Sequence, residues 1–369
     1  MQDYIMVGID VHEKKLVLAL AAGTEEPRFM RFRNSPVGRI EMLRQFRKEC
    51  VSQNGFQVFA AYEASEAGYG LYDQITDEGF ECSVLAPTKI RRSVNELKKK
   101  TDKRDARQIL DILRAHLLAG CDLPEVWVPD PQTRDDREIV RARLDAGQKV
   151  TALKAQIRSL LKRNGQVRPP DISANWTPSH RHWLEILAAG KGPLYEGGAT
   201  ALDSFLRQLQ AFEQERDSLQ GAVEALSRQE RYREAVEALT ELHGVGILTA
   251  MVFLTEMGDV TRFSNRRQVA SYLGLVPSSH ESGEANDRKG HITCHGPSRV
   301  RKVLCQASWC RTRVDPAYAR IVEKNKRHKK IAIVALMRRL AIRMWHKAVD
   351  SMPDRAGPPE EAPPHPAAV

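Results

Sequence analysis

The chain has no apolar run approaching the roughly 20 residues that a membrane-spanning helix needs, so a helical integral membrane protein is not expected. Its opening, MQDYIMVGID, lacks the basic stretch and small-residue cleavage site of a secretory signal, which makes the cytoplasm, close to the nucleoid, the expected location. Cysteine is sparse. Cys50, Cys82, Cys121, Cys294, Cys305 and Cys310 are scattered with no C-x-x-C among them, and they read as reduced thiols rather than a disulfide framework. The run His291-Ile-Thr-Cys294-His295 has no second ligand pair at a zinc-like spacing, so structural zinc is not expected there. Glycine-rich phosphate loops after Gly70 are missing too, which argues against a sugar-kinase or actin-like ATPase, whose first strand also ends in GxD. Acids are scarce in one place above all. From Arg288 to Lys347 there are 17 Lys and Arg but two acids, Asp315 and Glu323. That excess of +15 in a chain of net charge +10 leaves the remainder at −5. A basic block on a near-neutral body is an electrostatic footprint for a polyanion.

What is present is enough chain, 369 residues, for two or three domains of ordinary composition, 28% charged and 42% hydrophobic. Residues 4–10 (YIMVGID), 15–22 (KLVLALAA) and 30–34 (MRFRN) read as three strands, the first two joined by a tight turn at VHEK. A helix is expected over 36–49, a strand over 56–64 ending near Glu63, a helix over 68–78 and a buried strand over 82–87. A further helix opens in the basic element LKKKTDKRDAR (97–107) and stops at Gly120. Strands followed by alternating helices and strands imply a mixed α/β sheet.

Asp102 and Asp105 stand three apart, so a helix points both carboxylates to one face. Like charges so placed repel unless a cation lies between them, and a divalent ion that prefers oxygen ligands is the usual remedy. Asp10 and Glu63 end the first and fourth expected strands, where open α/β sheets place their ligands. Four carboxylates from separate segments could converge into a metal clamp for phosphoryl transfer. Lys98, Lys99, Lys100, Lys103 and Arg104 would then hold the phosphate backbone.

The order GID, YEA, KTDKRDA resembles the RuvC-like, ribonuclease-H-fold domain of the DEDD transposases of bacterial insertion sequences, with Asp10, Glu63, Asp102 and Asp105 on its four letters. Further on, YLGLVPSSHESG…GHIT…G…VRK resembles the C-terminal domain of the same family. There the serine of the SG step is the nucleophile, and Ser282 is the residue that matches. Cys294 stands where relatives often carry a basic residue.

Between these ends, residues 134–164 read as one long helix with apolar positions Val150, Leu153, Ile157 and Leu160. A Pro/Gly-rich interval follows, in which Trp176 and Trp183 flank a short helix. A second long helix carries Leu202, Phe205, Leu209, Phe212, Leu219, Val223 and Leu226, a seam stepping by three and four and interrupted by Arg216. The seams could pair with each other, pair with a second subunit, or pack in a bundle; self-association is the expectation. Residues 240–258 hold Gly244 and Gly246 between apolar helical runs, the form of a helix-hairpin-helix that offers backbone N–H groups to phosphate, or of a plain glycine-capped turn. A Gly- and Ser-rich loop runs to Pro297, and a basic helix starts at Ser298.

The expected organisation is therefore an α/β ribonuclease-H/RuvC-like domain over 1–125 and a helical, coiled-coil-like linker over 126–235. A mainly α C-terminal serine domain with the helix-hairpin-helix follows over 236–350, and a Pro/Ala-rich disordered tail over 351–369. The resemblance implies a recombinase that binds Mg²⁺ (or Mn²⁺) through its four acids and attacks DNA with Ser282 to form a phosphoserine link, Arg288, Lys289, Arg299, Arg301 and Lys302 holding phosphates. It also implies donor and target DNA, a guide (bridge) RNA, and a homo-oligomer, dimer or tetramer, in which the serine domain of one subunit meets the acidic domain of another. A serine hydroxyl needs a base or a metal to become a nucleophile, and only His280 is near Ser282 in sequence. Two other classes fit part of the pattern: a metal-dependent junction-resolving nuclease using water, and a non-catalytic nucleic-acid binding protein.

Overall fold

Alternating burial divides the N-terminal strands between two cores. The computed structural model describes residues 4–53, 55–90, 101–280, 288–325 and 328–352. These group into two compact units, Met1–Val128 and Pro129–Val369. In the first, β1 (Tyr4–Val11), β2 (Lys15–Ala22), β3 (Arg28–Arg33), β4 (Gln57–Glu63) and β5 (Glu81–Leu85) form a sheet of order β3-β2-β1-β4-β5. The pairs β1–β2 and β2–β3 are antiparallel, whereas β1–β4 and β4–β5 are parallel. Among the described residues three α-helices accompany them: α1 (Pro36–Ser52), α2 (Gly70–Asp77) and α3 (Asp102–Ala119). Successive side chains of a strand point to opposite faces. Ile5, Val7 and Ile9 of β1 accordingly pack with Met42 and Phe46 of α1 and Ile75 of α2, while Met6 packs with Ala106, Ile109 and Leu110 of α3. Covering on both faces is why β1 and β2 read as near-continuous apolar runs.

The second unit begins with α4 (Pro131–Arg163), started by Asp130, whose side chain accepts from Thr133 N at 2.8 Å, and by Pro131, whose fixed φ suits the first helical position. The short α5 (Pro178–Ala188) and the long α6 (Glu196–Ser227) follow. Trp183 lies within α5 rather than beyond it. α4 and α6 run antiparallel: Arg143 Nε donates to Gln220 Oε1 at 2.9 Å, Lys154 Nζ lies 2.9 Å from Glu213, and Asn164 sits beside Gly198. Val150, Leu153, Ile157 and Leu160 pack with Leu202 and Leu209, and Leu184 and Leu187 of α5 complete the cluster. The two apolar seams therefore face each other within one chain.

The remaining α-helices and strands among the described residues are α7 (Glu230–Thr240), α8 (Ile247–Met257), α9 (Arg266–Tyr272), β6 (Pro277–His280), β7 (Arg288–Ile292), α10 (Ser298–Thr312), α11 (Pro316–Lys324) and α12 (Lys329–Asp350). α8 is buried all round from Ala250 to Met257, so it reads as apolar on every face. Its Glu256 is held by both Nε and Nη2 of Arg141, at 2.8 and 3.0 Å, and the buried Arg137 donates to the carbonyls of Thr255 and Glu256. These bonds fasten the first half of α4 to the C-terminal core.

Where the sequence suggests a loop between Gly274 and Pro297, β6 and β7 form an antiparallel two-stranded ribbon. Ser278 Oγ donates to the His291 carbonyl at 3.0 Å, and Gly290 supplies the room: a Cβ there would meet that hydroxyl at 2.4 Å. At the ribbon's base, Gly274 and Gly296 have φ of +64° and +76° and press against backbone of the opposing segment. Among the described residues no helix is long and apolar enough to cross a membrane.

Candidate active site

Gly8 decides where the acids meet. A Cβ at this position would lie 2.2 Å from the Ala106 carbonyl oxygen and 2.5 Å from the Leu110 nitrogen, so the α3 backbone rests directly on β1. Ala19, Ala61 and Ala106 keep the rest of this contact shallow. With α3 seated so closely, its first turn, which contains Asp102 and Asp105, reaches the end of β1. Asp10 is two residues beyond Gly8 and faces the same side. Acids in a first helical turn also suit the positive end of the helix dipole. Glu63 ends β4, the parallel neighbour of β1, one position past the Ile9–Tyr62 register pair, about 4.8 Å away across the sheet. Because Phe59 and Ala61 belong to the α3-side core, strand alternation puts Glu63 on that side as well.

Two side chains outside the sequence expectation complete the cluster. His12 Nε2 lies 2.9 Å from Asp10 Oδ2 and 3.2 Å from Asp102 Oδ1, so a proton on Nε2 bridges the carboxylates. Lys15 donates to Asp102 Oδ2. The β1–β2 turn that carries His12 is pinned by His12 N to Lys15 O at 3.0 Å and by Asn34 Nδ2 to His12 O at 2.7 Å. Asp10, His12 and Asp102 each offer a ligand atom, and these atoms lie within 4.8 Å of one another. Burial raises the Asp10 carboxyl above its ordinary pKa; Asp105 and Asp102 push the same way while His12 opposes them. The hydrogen bond from Lys15 is the main cause holding the Asp102 carboxyl below its ordinary value. The period-two alternation that places Gly8 and Asp10 on one face would extend to His12, and that was the signal available for it.

The other candidate residues are dispersed. Lys98, Lys99, Lys100 and Ser282 lie outside the described residues. Lys103 is exposed with its ammonium 5.3 Å from the centre of the Phe29 ring, and Arg104 is exposed. Arg288 and Lys289 pair through their backbones with His280 and Ser279. Lys302 is exposed on α10, and Arg299 Nη2 lies 3.7 Å from Asp145. Arg301 also holds the fold together. Its Nη1 donates to the carbonyls of Leu273, His295 and Gly296 at 3.2, 2.9 and 3.1 Å, tying the base of the β6–β7 ribbon to α10. Gly244 has φ +87°, and a Cβ there would meet the Ala307 carbonyl at 2.7 Å, so this glycine is required by packing against α10; Gly246 caps the start of α8.

A mixed sheet whose central parallel strands end in carboxylates, with a helix that brings two more to the same side, is the arrangement that the DEDD resemblance leads one to expect. Residues 7–164 match the DEDD transposase model of the IS110 type, and residues 236–323 match the transposase IS116/IS110/IS902 family. A Sinorhizobium fredii protein named as transposase y4qE is 32% identical over 314 residues, covering 82% of this chain and 70% of the relative. The transposase for insertion sequence element IS1533 of Leptospira borgpetersenii is 26% identical over 358 residues, 96% of this chain and 99% of its own. The pilin gene-inverting protein of Moraxella bovis is 29% identical over 106 residues, 28% of this chain and 33% of its own. The chain belongs to the IS116/IS110/IS902 family of transposases, and its class of activity is DNA transposition and recombination.

Proposed function

We propose that this transposase cuts and rejoins DNA through a serine-linked intermediate, with Asp10, Glu63, Asp102 and Asp105 holding a divalent ion, Mg²⁺ or Mn²⁺. The observation that carries the reading is the meeting of Asp10 and Asp102 around His12, with Glu63 and Asp105 on the same side of the sheet. The residues fit such an ion. The donors are mostly hard carboxylate oxygens, and an acid whose charge is disfavoured by burial and by two neighbouring acids is one that a bound cation would keep ionised. When bound, the ion supplies a polarised phosphate and a more acidic hydroxyl.

In the proposed chemistry the Ser282 hydroxyl oxygen attacks a DNA phosphorus as its proton leaves. A phosphoserine bond forms, the bond from phosphorus to a deoxyribose oxygen breaks, and that oxygen departs with a proton. Attack by a hydroxyl of a different strand reverses the step and rejoins DNA with no net loss of phosphodiester bonds. Asp102 is held in place by Lys15 and His12, which keeps the acid cluster ordered. The division of labour follows the sequence: acids in 1–125, helices over 126–235 joining them to the serine domain of 236–350, and a tail over 351–369. The exposed Lys103, Arg104 and Lys302, together with Lys98, Lys99, Lys100, Arg288, Lys289 and Arg299, are assigned to phosphates of donor and target DNA, and the turn at Gly244 and Gly246 to a sequence-independent backbone contact. Sequence choice falls to a guide (bridge) RNA, and a homo-oligomer, dimer or tetramer, brings serine and acids of different subunits together in the nucleoid.

The test uses full-length protein with the element's RNA, Mg²⁺ and labelled donor and target DNA. After denaturation, label should remain on the wild-type protein and vanish with Ser282→Ala. Free cleaved ends from both proteins with no adduct would replace this mechanism with hydrolysis by water.

A further inference from the structure

The helical segment carries a hollow that the serine chemistry does not use. The end of α4, the connection over 164–177 and the start of α5 line an open hollow of about 290 Å³. Leu161, His180 and Trp183 are its apolar and aromatic lining, and Arg158, Lys162 and Arg168 surround it. Arg158 and Lys162 are one helical turn apart and so share a face of α4. Arg168 is positioned by donating to the Ser173 carbonyl at 3.2 Å.

The charges here differ from those next door. Lys154 and Arg181 both pair with Glu213, at 2.9 and 2.8 Å. No carboxylate pairs with Arg158, Lys162 or Arg168 among the described residues. Three cations left without acids around an aromatic hollow point to an anionic ligand with a flat face. The aromatic side is built with care. Trp176, His180 and Trp183 form a ladder with ring centres 5.4 and 5.5 Å apart. His180, 2% exposed, accepts the backbone N–H of Trp176 through Nδ1 at 3.2 Å, which fixes its tautomer with the proton on Nε2. Trp176 sits at φ +71°, in the left-handed region that a bulky residue rarely adopts, a cost that packing around the pocket must offset. Gln166 and Asn175 also line the pocket, and their side-chain amides can both donate and accept, as the edge of a base requires.

We propose that this pocket takes one unpaired nucleotide of a single strand, its base against Trp183, which the buried His180 backs, and its flanking phosphates on Arg158, Lys162 and Arg168. A stacked base with cationic backbone contacts is how single strands are held, and the volume suits one nucleotide rather than a duplex. RNA and DNA strands share this chemistry.

The experiment measures binding of full-length protein to short labelled RNA and DNA strands of equal sequence, and to the duplex, across a salt series. Photo-crosslinking with 4-thiouridine or 4-thiothymidine locates the bound strand on the chain. Arg158→Gln with Lys162→Gln should lower the slope of log affinity against log salt by about 0.7 for each phosphate no longer neutralised. Trp183→Leu keeps an apolar filler and should weaken single-strand binding by about five- to hundredfold, the range of one base stack. Crosslinks to peptides within 158–183 support the proposal, and the strand that gives them, RNA, DNA or both, identifies the source. Unchanged affinity and salt slope in variants with wild-type circular dichroism, crosslinks only elsewhere, or equal capture of polyglutamate would overturn it.

Discussion

His12 and Lys15 are the hydrogen-bonding partners of an otherwise acidic cluster, and neither residue type announces that role. The turn VHEK reads as a connection, and although alternation from Gly8 and Asp10 would extend to His12, a turn side chain can face several ways until its backbone is pinned. Asn34, from the end of β3, does the pinning. The positions of Asp10 and Glu63 at strand ends, and of Asp102 and Asp105 in one helical turn, were legible because a strand's end has a fixed place in a sheet and an i,i+3 pair shares a helical face. Arg301 has a structural role that its basic surroundings do not signal. It sits in a basic run and reads as a phosphate contact, yet three carbonyls occupy its Nη1. Glu213 illustrates residue-scale electrostatics in the helical segment. Burial alone would raise its pKa, but hydrogen bonds from Arg181 and Lys154 outweigh this and hold the carboxyl below its ordinary value. A carboxyl depressed in the folded state stabilises above its unfolded pKa, and that stability is lost as pH falls through the folded one. Glu213→Gln should therefore cost about 1–3 kcal/mol near neutral pH, and the gap in thermal midpoint from wild type should close on acidification below the ordinary carboxylate range. A gap unchanged with pH would mean the pair contributes by shape alone.

At the scale of elements, the seating of α3 on β1 is the contact that assembles the acids. Gly8→Val should force the α3 backbone outward, costing about 1–3 kcal/mol as overpacking and lowering DNA cleavage far more than that stability loss explains, because Asp102 and Asp105 move with the helix. Cleavage kept at the wild-type level in a folded Gly8→Val protein would show that α3 need not sit there. The sequence told the strands and α3 apart well: the apolar runs of β1 and β2, the stop at Gly120 and the long periodic helices match what is seen to within a few residues. The β6–β7 ribbon was not legible. Its strands are short and polar, and the pairing rests on Gly290 making room for Ser278, a fit that alternation of apolar residues cannot signal. Whether the seams of α4 and α6 meet within one chain was likewise undecidable from heptads, since a hairpin and a dimer bury the same positions.

For the whole molecule, the basic C-terminal block and the acid cluster belong to different units, as expected if one handles DNA phosphates while the other activates the reaction. The central claim is that the acids at the ends of β1 and β4 and the start of α3 perform the chemistry of this transposase. The most direct measurement is strand cleavage of donor DNA by full-length protein with its RNA and Mg²⁺, comparing wild type with Asp10→Asn and Asp102→Asn, each checked for an unchanged thermal midpoint. The account predicts a loss on the order of a hundredfold to a thousandfold, as when one preorganised electrostatic group is removed, with DNA binding retained. Cleavage within a few-fold of wild type in both variants would contradict it and place the reaction elsewhere.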